Sequence, residues 1–470
     1  VTIGTLPDDV LLNILKLFVD AIDCDNTASD EWHILIHVCR RWRNLAFASP
    51  RYLNLQLLYI PHLRSVEEML DTWGEIPIYI QYCAFQAKEA RANVVAALRL
   101  NHRVSGFWLQ LSSYPEWEAL DPLNQLPFPT LTRLWIGPSY PSNKFKAIPR
   151  SFLSGSAPSL RDLSLNHIPF PTLPELLLSS TNLVRLWYGH IPQSGYISPQ
   201  DMVTGLSALT RLETLCLIFQ SSQSLPDSAI RIPPSHTGSL LPALSYLCFQ
   251  GVPEYLEYLV AQIHDPFLEG MDITFFHQEV LEISELAKFI RRADKLSSLH
   301  RGEVSFESER VSVKLSQHSW GVDDKTLFLN PACPESVFRL SYLAQFCASC
   351  FPTPSPFESI YIRVPFEFVW KDVIEDPDAQ LGWLELLRPF NVMKHLHLSH
   401  IVAPRVAQAL RRLPSDRVTE VLPALEIVFI SGLELGGPVK EAMSEFAVAR
   451  QLSGHPVSIC DWEGGERLTL

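Results

Sequence analysis

Two groups of residues in this 470-residue chain have the types and spacing that suit metal chemistry. One is Cys347-Ala-Ser-Cys350 with Cys333 upstream, and the other is His395-Leu396-His397 with His400 just beyond. A structural zinc site takes four ligands, commonly from two paired motifs. Here one cysteine pair stands between Phe346 and Phe351, a setting in which reduced thiols act as small hydrophobes. A redox role for the pair would need a thioredoxin-like context, which the surrounding sequence lacks. His395 and His397 alternate along a strand and so share a face, but the sequence places no carboxylate or third histidine beside them. Neither a metal site nor a cofactor is therefore expected. The phosphate-cradling Gly-x-x-x-x-Gly-Lys-Ser/Thr loop, His-Glu-x-x-His and Gly-x-Ser-x-Gly are all absent, so no catalytic residue is assigned and the chain is read as non-enzymatic.

The elements that would position any site belong to an ordinary globular composition, 47% hydrophobic and 19% charged. The net charge of -13 argues against a nucleic-acid or anionic-membrane surface. The longest uncharged stretches, Ile232–Pro253 and Leu340–Phe357, contain several prolines and many polar residues, so neither reads as a membrane span. Nine cysteines are scattered, several within apolar runs such as Leu215-Cys216-Leu217 and Leu247-Cys248-Phe249. With no Asn-x-Ser/Thr sequon and no signal-peptide pattern, a reducing compartment, cytoplasm or nucleus, is expected.

The N-terminal fifty residues read as two short amphipathic helices. Pro7 sits near a helix start, where its missing N–H costs nothing, and Asp8 and Asp9 face the positive end of the dipole. Val10, Ile14 and Phe18 make one stripe, with Leu11 and Leu15 beside it. Asp23 to Asp30 reads as a loop, after which Trp32, Leu35, Cys39 and Trp42 recur at spacings of three and four until Ser49-Pro50. On pattern alone this pair could simply cap the larger domain C-terminal to it.

Leu6-Pro7-x-x-Val10-Leu11-x-x-Ile14-Leu15, followed by Val38-Cys39-Arg40-Arg41-Trp42-Arg43-x-Leu45, resembles an F-box of the form common in large fungal families. The loop between the two halves is longer than in a minimal F-box. What the resemblance implies is a hydrophobic interface with a Skp-type adaptor, which links a receptor to a cullin–RING ubiquitin ligase. It also implies that Leu6, Pro7, Val10, Leu11, Ile14, Leu15, Val38, Cys39, Trp42 and Leu45 are adaptor-contact or hairpin-core residues. Residues 1–55 are assigned to this hairpin.

Beyond it, Leu-x-x-Leu-x-Leu-like units recur from Leu131, Leu160, Leu183, Leu212 and Leu244, with weaker copies from Leu268, Phe357, Met393 and Leu425. The clear copies lie about 23 to 32 residues apart, the range of a strand-plus-helix solenoid turn. Helical segments are expected between them at Pro253–Ile263, Glu279–Ala293 and Arg405–Leu413. Ile76–Tyr82 and Val104–Leu111 read as earlier strands, separated by a helix over Ala87–Leu100. The asparagine usual after the third leucine is mostly missing, Asn166 being one candidate. The fold class expected is α/β, a short helical F-box followed by a degenerate leucine-rich-repeat solenoid over 56–470. An irregular insertion is expected near 294–356, where Val304–Phe306 and Val311–Leu315 alternate like strands. A non-repetitive α/β domain with leucine-rich strands is the alternative.

In such a strand the fourth and sixth positions face the core, so the third and fifth face the open side of the sheet. That puts Arg133 with Trp135, Asp162 with Ser164, and Arg185 with Trp187 on successive rungs. These are candidate substrate-binding residues, because exposed Trp beside Arg is the chemistry of interface hot spots. Tyr246, Arg363, His395 and His397 would extend the patch. The alternative is a self-satisfied ladder in which Asp162 pairs both arginines. The function expected is a substrate-receptor subunit of an SCF-type ligase that binds an unknown protein substrate. Its rival is a leucine-rich-repeat interaction scaffold without a ligase role.

Overall fold

The computed structural model describes residues 5–22, 32–50, 52–53, 55–61, 63, 65–73, 76–83, 88–111, 121–139, 145–221, 241–263, 267–276, 283–297, 299, 301–306, 311–316, 326–331, 340–350, 358–364, 377–433 and 436–462. The expected loop Asp23–Asp30 and the prolines Pro334, Pro352, Pro354 and Pro356 lie outside them, as do Cys333 and the side chain of Cys350. The chain divides into two compact units, Val1–Leu212 and Glu213–Leu470.

The first unit opens with three helices, α1 (Asp8–Ile22), α2 (His33–Val38) and α3 (Arg40–Ala48). The single second helix expected from the Trp32–Trp42 spacing is therefore broken, at Cys39. That residue is extended (φ -159°, ψ 170°), and its carbonyl accepts from Arg43 N as α3 begins. Arg43 also donates through Nε to the Ile36 carbonyl at 2.9 Å, which satisfies an acceptor at the end of α2.

Six parallel strands come next, in chain order: β1 (Leu57–Tyr59), β2 (Ile78–Cys83), β3 (Val104–Leu111), β4 (Arg133–Pro138), β5 (Asp162–Asn166) and β6 (Arg185–Ile191). Each leucine unit supplies a turn and then a strand. Phe128, Ala157 and Ser180 each offer a carbonyl to the leucine three residues on, closing a turn, with Pro at its second position in the first two. The rung behind then receives the strand. Arg161 N and Asp162 N both donate to the Thr132 carbonyl, and Val184 N and Arg185 N to that of Arg161. Side chains add to this stitching: Thr130 Oγ1 donates to Val104 O (2.9 Å), Ser159 Oγ to Pro129 O (2.6 Å) and Asn182 Nδ2 to Pro158 O (2.8 Å). The bonds expected of an asparagine after the strand are thus made by Ser, Thr and Asn before it. The core row, Leu134 with Ile136, Leu163 with Leu165 and Leu186 with Tyr188, is at most 2% exposed.

The second unit repeats the scheme in β7 (Thr214–Phe219), β8 (Tyr246–Gly251) and β9 (Gly270–Phe275), and again in β13 (Ser359–Arg363), β14 (His395–Leu398), β15 (Ile427–Ile430) and β16 (Ser458–Asp461). Helices run between strands at Pro253–Val260 and Ser284–Arg292, within the spans their sequences suggest, and at Ala403–Arg411, which begins and ends two residues before the expected Arg405–Leu413. Between β9 and β13 the sheet takes in β10 (Arg301–Phe306), β11 (Val311–Ser316) and β12 (Thr326–Pro331), in the order β9-β12-β11-β10-β13. Here β11 is antiparallel to both its neighbours, while β12 and β10 lie parallel to β9 and β13. The chain therefore doubles back through a meander that continues the ladder in place of two ordinary turns. Among the described residues no helix is long and apolar enough to cross a membrane. The architecture is a degenerate leucine-rich-repeat-like strand–helix solenoid.

Candidate functional site

On the helical segment, packing separates the residues that the F-box resemblance implicates. Leu11 and Leu15 are fully buried and hold the helices together. Leu6, Trp42 and Leu45 are half-buried, while Pro7, Val10, Ile14, Val38 and Cys39 are exposed. Leu17, Phe18, Ile34 and Phe47, which the resemblance did not single out, are exposed too, Leu17 at 72% and Ile34 at 60%. Arg41 ties α3 to the start of α1, its Nε donating to Asp8 Oδ1 at 2.9 Å and its Nη2 to the Leu6 carbonyl at 2.5 Å. Two further bonds brace the helices against the segment that leads into β1. Trp32, almost wholly buried, donates from Nε1 to the Gln56 carbonyl at 2.9 Å, and Tyr52 donates its hydroxyl to Asn13 Oδ1 at 2.5 Å.

On the open face of the first unit, strand register lays down three rows. The first runs Tyr79, Gly106, Arg133, Asp162, Arg185; the second Gln81, Trp108, Trp135, Ser164, Trp187; the third Cys83, Gln110, Gly137, Asn166, Gly189. Arg133, Trp135, Asp162, Arg185 and Trp187 thus stand on adjacent rungs. Asp162 forms an ion pair with Arg185, which occupies the first row. Trp187 is 43% exposed. Trp135 is half-buried because Trp108 stacks on it, with centroids 4.8 Å apart and planes 18° apart. Trp108 went unassigned, although its alternation with buried Phe107 and Leu109 already points it to this face.

The two glycines of the third row let the indoles lie along the sheet. A Cβ at Gly137 would come within 2.8 Å of the Trp135 ring, and one at Gly189 within 2.6 Å of Trp187 Nε1. Where β5 and β6 end, His167 and His190 stack at 4.3 Å, and His190 Nδ1 meets Asn166 Oδ1 at 2.8 Å. Burial first, and His190 second, hold the His167 pKa below its ordinary value.

In the second unit Tyr361, His397 and Phe429 are partners on β13, β14 and β15. His397 is sandwiched between the two rings at 4.0 and 4.5 Å, and Trp462 meets it edge-on at 5.2 Å. The Arg301 guanidinium lies 3.9 Å from the Tyr361 centroid, with Arg363 at 5.3 Å. Arg363 also stands 3.8 Å from Glu303 Oε1. Burial, then Arg301, His395 and Arg363, push the His397 pKa down to about 4. His395 Nδ1 lies 3.2 Å from Ser359 Oγ. His397 is thus packed into an aromatic stack, with His395 beside it against Ser359. Among the described residues no group of three or more His, Cys, Asp or Glu is placed to hold a metal ion.

Tyr246 is not brought to this cluster. It sits on β8, and β9, β12, β11 and β10 intervene before β13. The sequence had no means of counting the meander strands that separate them.

No family model matches the chain, and no curated protein matches it. Among solved structures, the leucine-rich repeat-containing protein LegL7 from Legionella pneumophila is similar at 13% identity, over 72% of this chain and 95% of that one, with a TM-score of 0.28. The solenoid assignment stands on the chain's own ladder, turns and register.

Proposed function

We propose that this chain is a substrate receptor of an SCF-type cullin–RING ubiquitin ligase. The helices α1–α3 bind a Skp-type adaptor, and the open face of the repeats binds a protein substrate. The chain contributes binding, and the ubiquitin chemistry belongs to other subunits. One observation carries the reading. Of the fifteen large apolar residues exposed among the described residues, seven (Val10, Ile14, Leu17, Phe18, Ile34, Val38 and Phe47) lie on these three helices. An apolar surface concentrated this way on a small element marks an interaction site, and three of the seven, Val10, Ile14 and Val38, are residues of the F-box resemblance. Burying four of these side chains at about 1.5–3 kcal/mol each would supply roughly 6–12 kcal/mol, enough to offset much of the roughly 4–15 kcal/mol that association costs.

The test is co-purification from cells. The Pro7→Ala, Trp42→Ala double variant is expected to lose a Skp-type adaptor while its repeats stay folded. Full adaptor recovery with the double variant would remove the assignment. A second reading is a repeat scaffold whose helices only cap the first strand. The bond from Trp32 to Gln56 and the burial of that ring favour it, since a cap needs such anchoring. It predicts that no adaptor is recovered even with the unaltered chain.

A further inference from the structure

On the open face of the second unit a cavity of about 250 Å³ is lined by β7, β8, β9, β11 and β12. Its polar wall is Gln250, Asp272, Thr274, Ser312 and Asn330, and Phe328 supplies an aromatic surface. Two of these groups lack what they need. Asn330 is 3% exposed, and its Oδ1 has no hydrogen-bond partner. Asp272 is half-buried, and no ion pair or hydrogen bond among the described residues satisfies its carboxylate, so burial raises its pKa. Both groups are acceptors, and an acceptor held out of water without a partner is destabilising until a donor meets it. A group rich in N–H donors and positively charged is their complement. A planar guanidinium offers two parallel N–H bonds to a carboxylate and stacks on an aromatic ring, which a compact ammonium does not. The cavity is smaller than the roughly 300–1,000 Å³ clefts of drug-sized ligands, so it suits one side chain or a ligand of that size.

We infer that this pocket takes a guanidinium group, with Asp272 accepting its paired N–H bonds, Asn330 Oδ1 accepting another and Phe328 lying against its plane. The inference draws on the receptor reading only for the source of the group, an arginine of the bound protein.

The probe is N-acetyl-arginine amide, titrated calorimetrically into the full chain. Its neutral isostere N-acetyl-citrulline amide and N-acetyl-lysine amide serve as comparisons. Saturable binding of the arginine probe is expected, about tenfold or more tighter than either comparison. Asp272→Asn, with an unchanged melting temperature, is expected to weaken it by a similar factor. No binding of the arginine probe, equal binding of citrulline, or full affinity in Asp272→Asn would each overturn the assignment, whatever the stability of the variant, because the first two use the unaltered chain. Equal binding of the lysine probe would overturn the choice of guanidinium. A partner arginine predicts that Asp272→Asn also loses the co-purified substrate while keeping the adaptor. Retention of both partners with loss of the probe supports the pocket and assigns it to a free guanidinium compound. The adaptor itself reports separately on the receptor reading.

Discussion

His397 lies between the rings of Tyr361 and Phe429, its Nδ1 without a hydrogen-bond partner and two guanidinium groups nearby. Burial in this stack, then Arg301, His395 and Arg363, disfavours its proton, so its pKa falls from 6.5 to about 4. In the unfolded chain the imidazole regains the ordinary value and binds more protons below it. Stability therefore rises with pH across this window, and His397 withdraws stability as pH falls from about 6.5 toward about 4. His397→Phe keeps a ring in the stack and removes the titration. Melting temperatures from pH 7 to pH 4 are expected to fall less steeply in this variant than in the unaltered chain, and parallel curves would count against the assignment. At Gly137 the constraint is steric. Gly137→Ala is expected to cost about 1–3 kcal/mol and to change the near-ultraviolet circular dichroism of the stacked indoles, because the Trp135 ring must move. An unaltered spectrum would show that the ring does not lie over this glycine. At this scale the sequence read two of the three tryptophans in the second row. Trp135 and Trp187 were legible because they occupy the fifth position of a leucine unit. Trp108 was harder, because its strand carries no such unit and its neighbour is fixed by register.

Among elements, α1–α3 show what spacing does and does not reveal. Val10, Ile14 and Phe18 fall on one outward stripe of α1 as their period dictates. The break at Cys39 has no proline or glycine to announce it, and the periodicity of Trp32, Leu35, Cys39 and Trp42 runs straight through. It goes with tertiary contacts, Arg43 with Ile36 across the turn and Arg41 with Asp8 on α1. Trp32 is the anchor of the group. Trp32→Ala removes a nearly fully buried ring and a bond to Gln56, and is expected to cost about 3–5 kcal/mol. The loss should appear in thermal unfolding, and a cost below about 1 kcal/mol would contradict the anchoring. The meander β10–β12 was only partly legible. Val304–Phe306 and Val311–Leu315 alternate and lie in β10 and β11. Strand β12 and the order of all three depend on pairings that no local pattern encodes.

At the scale of the molecule, the leucine units predicted the solenoid because each one combines a turn, two core-facing positions and an exposed row, which fixes strand direction and face together. They carried no information about partners, whose identity is set by exposed surface. The receptor account places that surface on α1–α3, where Val10, Ile14, Ile34, Val38 and Phe47 are exposed. The most direct test of it is a titration of the purified chain with a purified Skp-type adaptor, beside the variant Ile14→Glu, Val38→Glu. Both replaced residues are exposed, so the variant is expected to keep its melting temperature. The account predicts saturable binding by the unaltered chain, weakened by about a hundredfold or more when two charges must be buried in the interface. Equal affinity for the two proteins, or no binding by the unaltered chain, would contradict it.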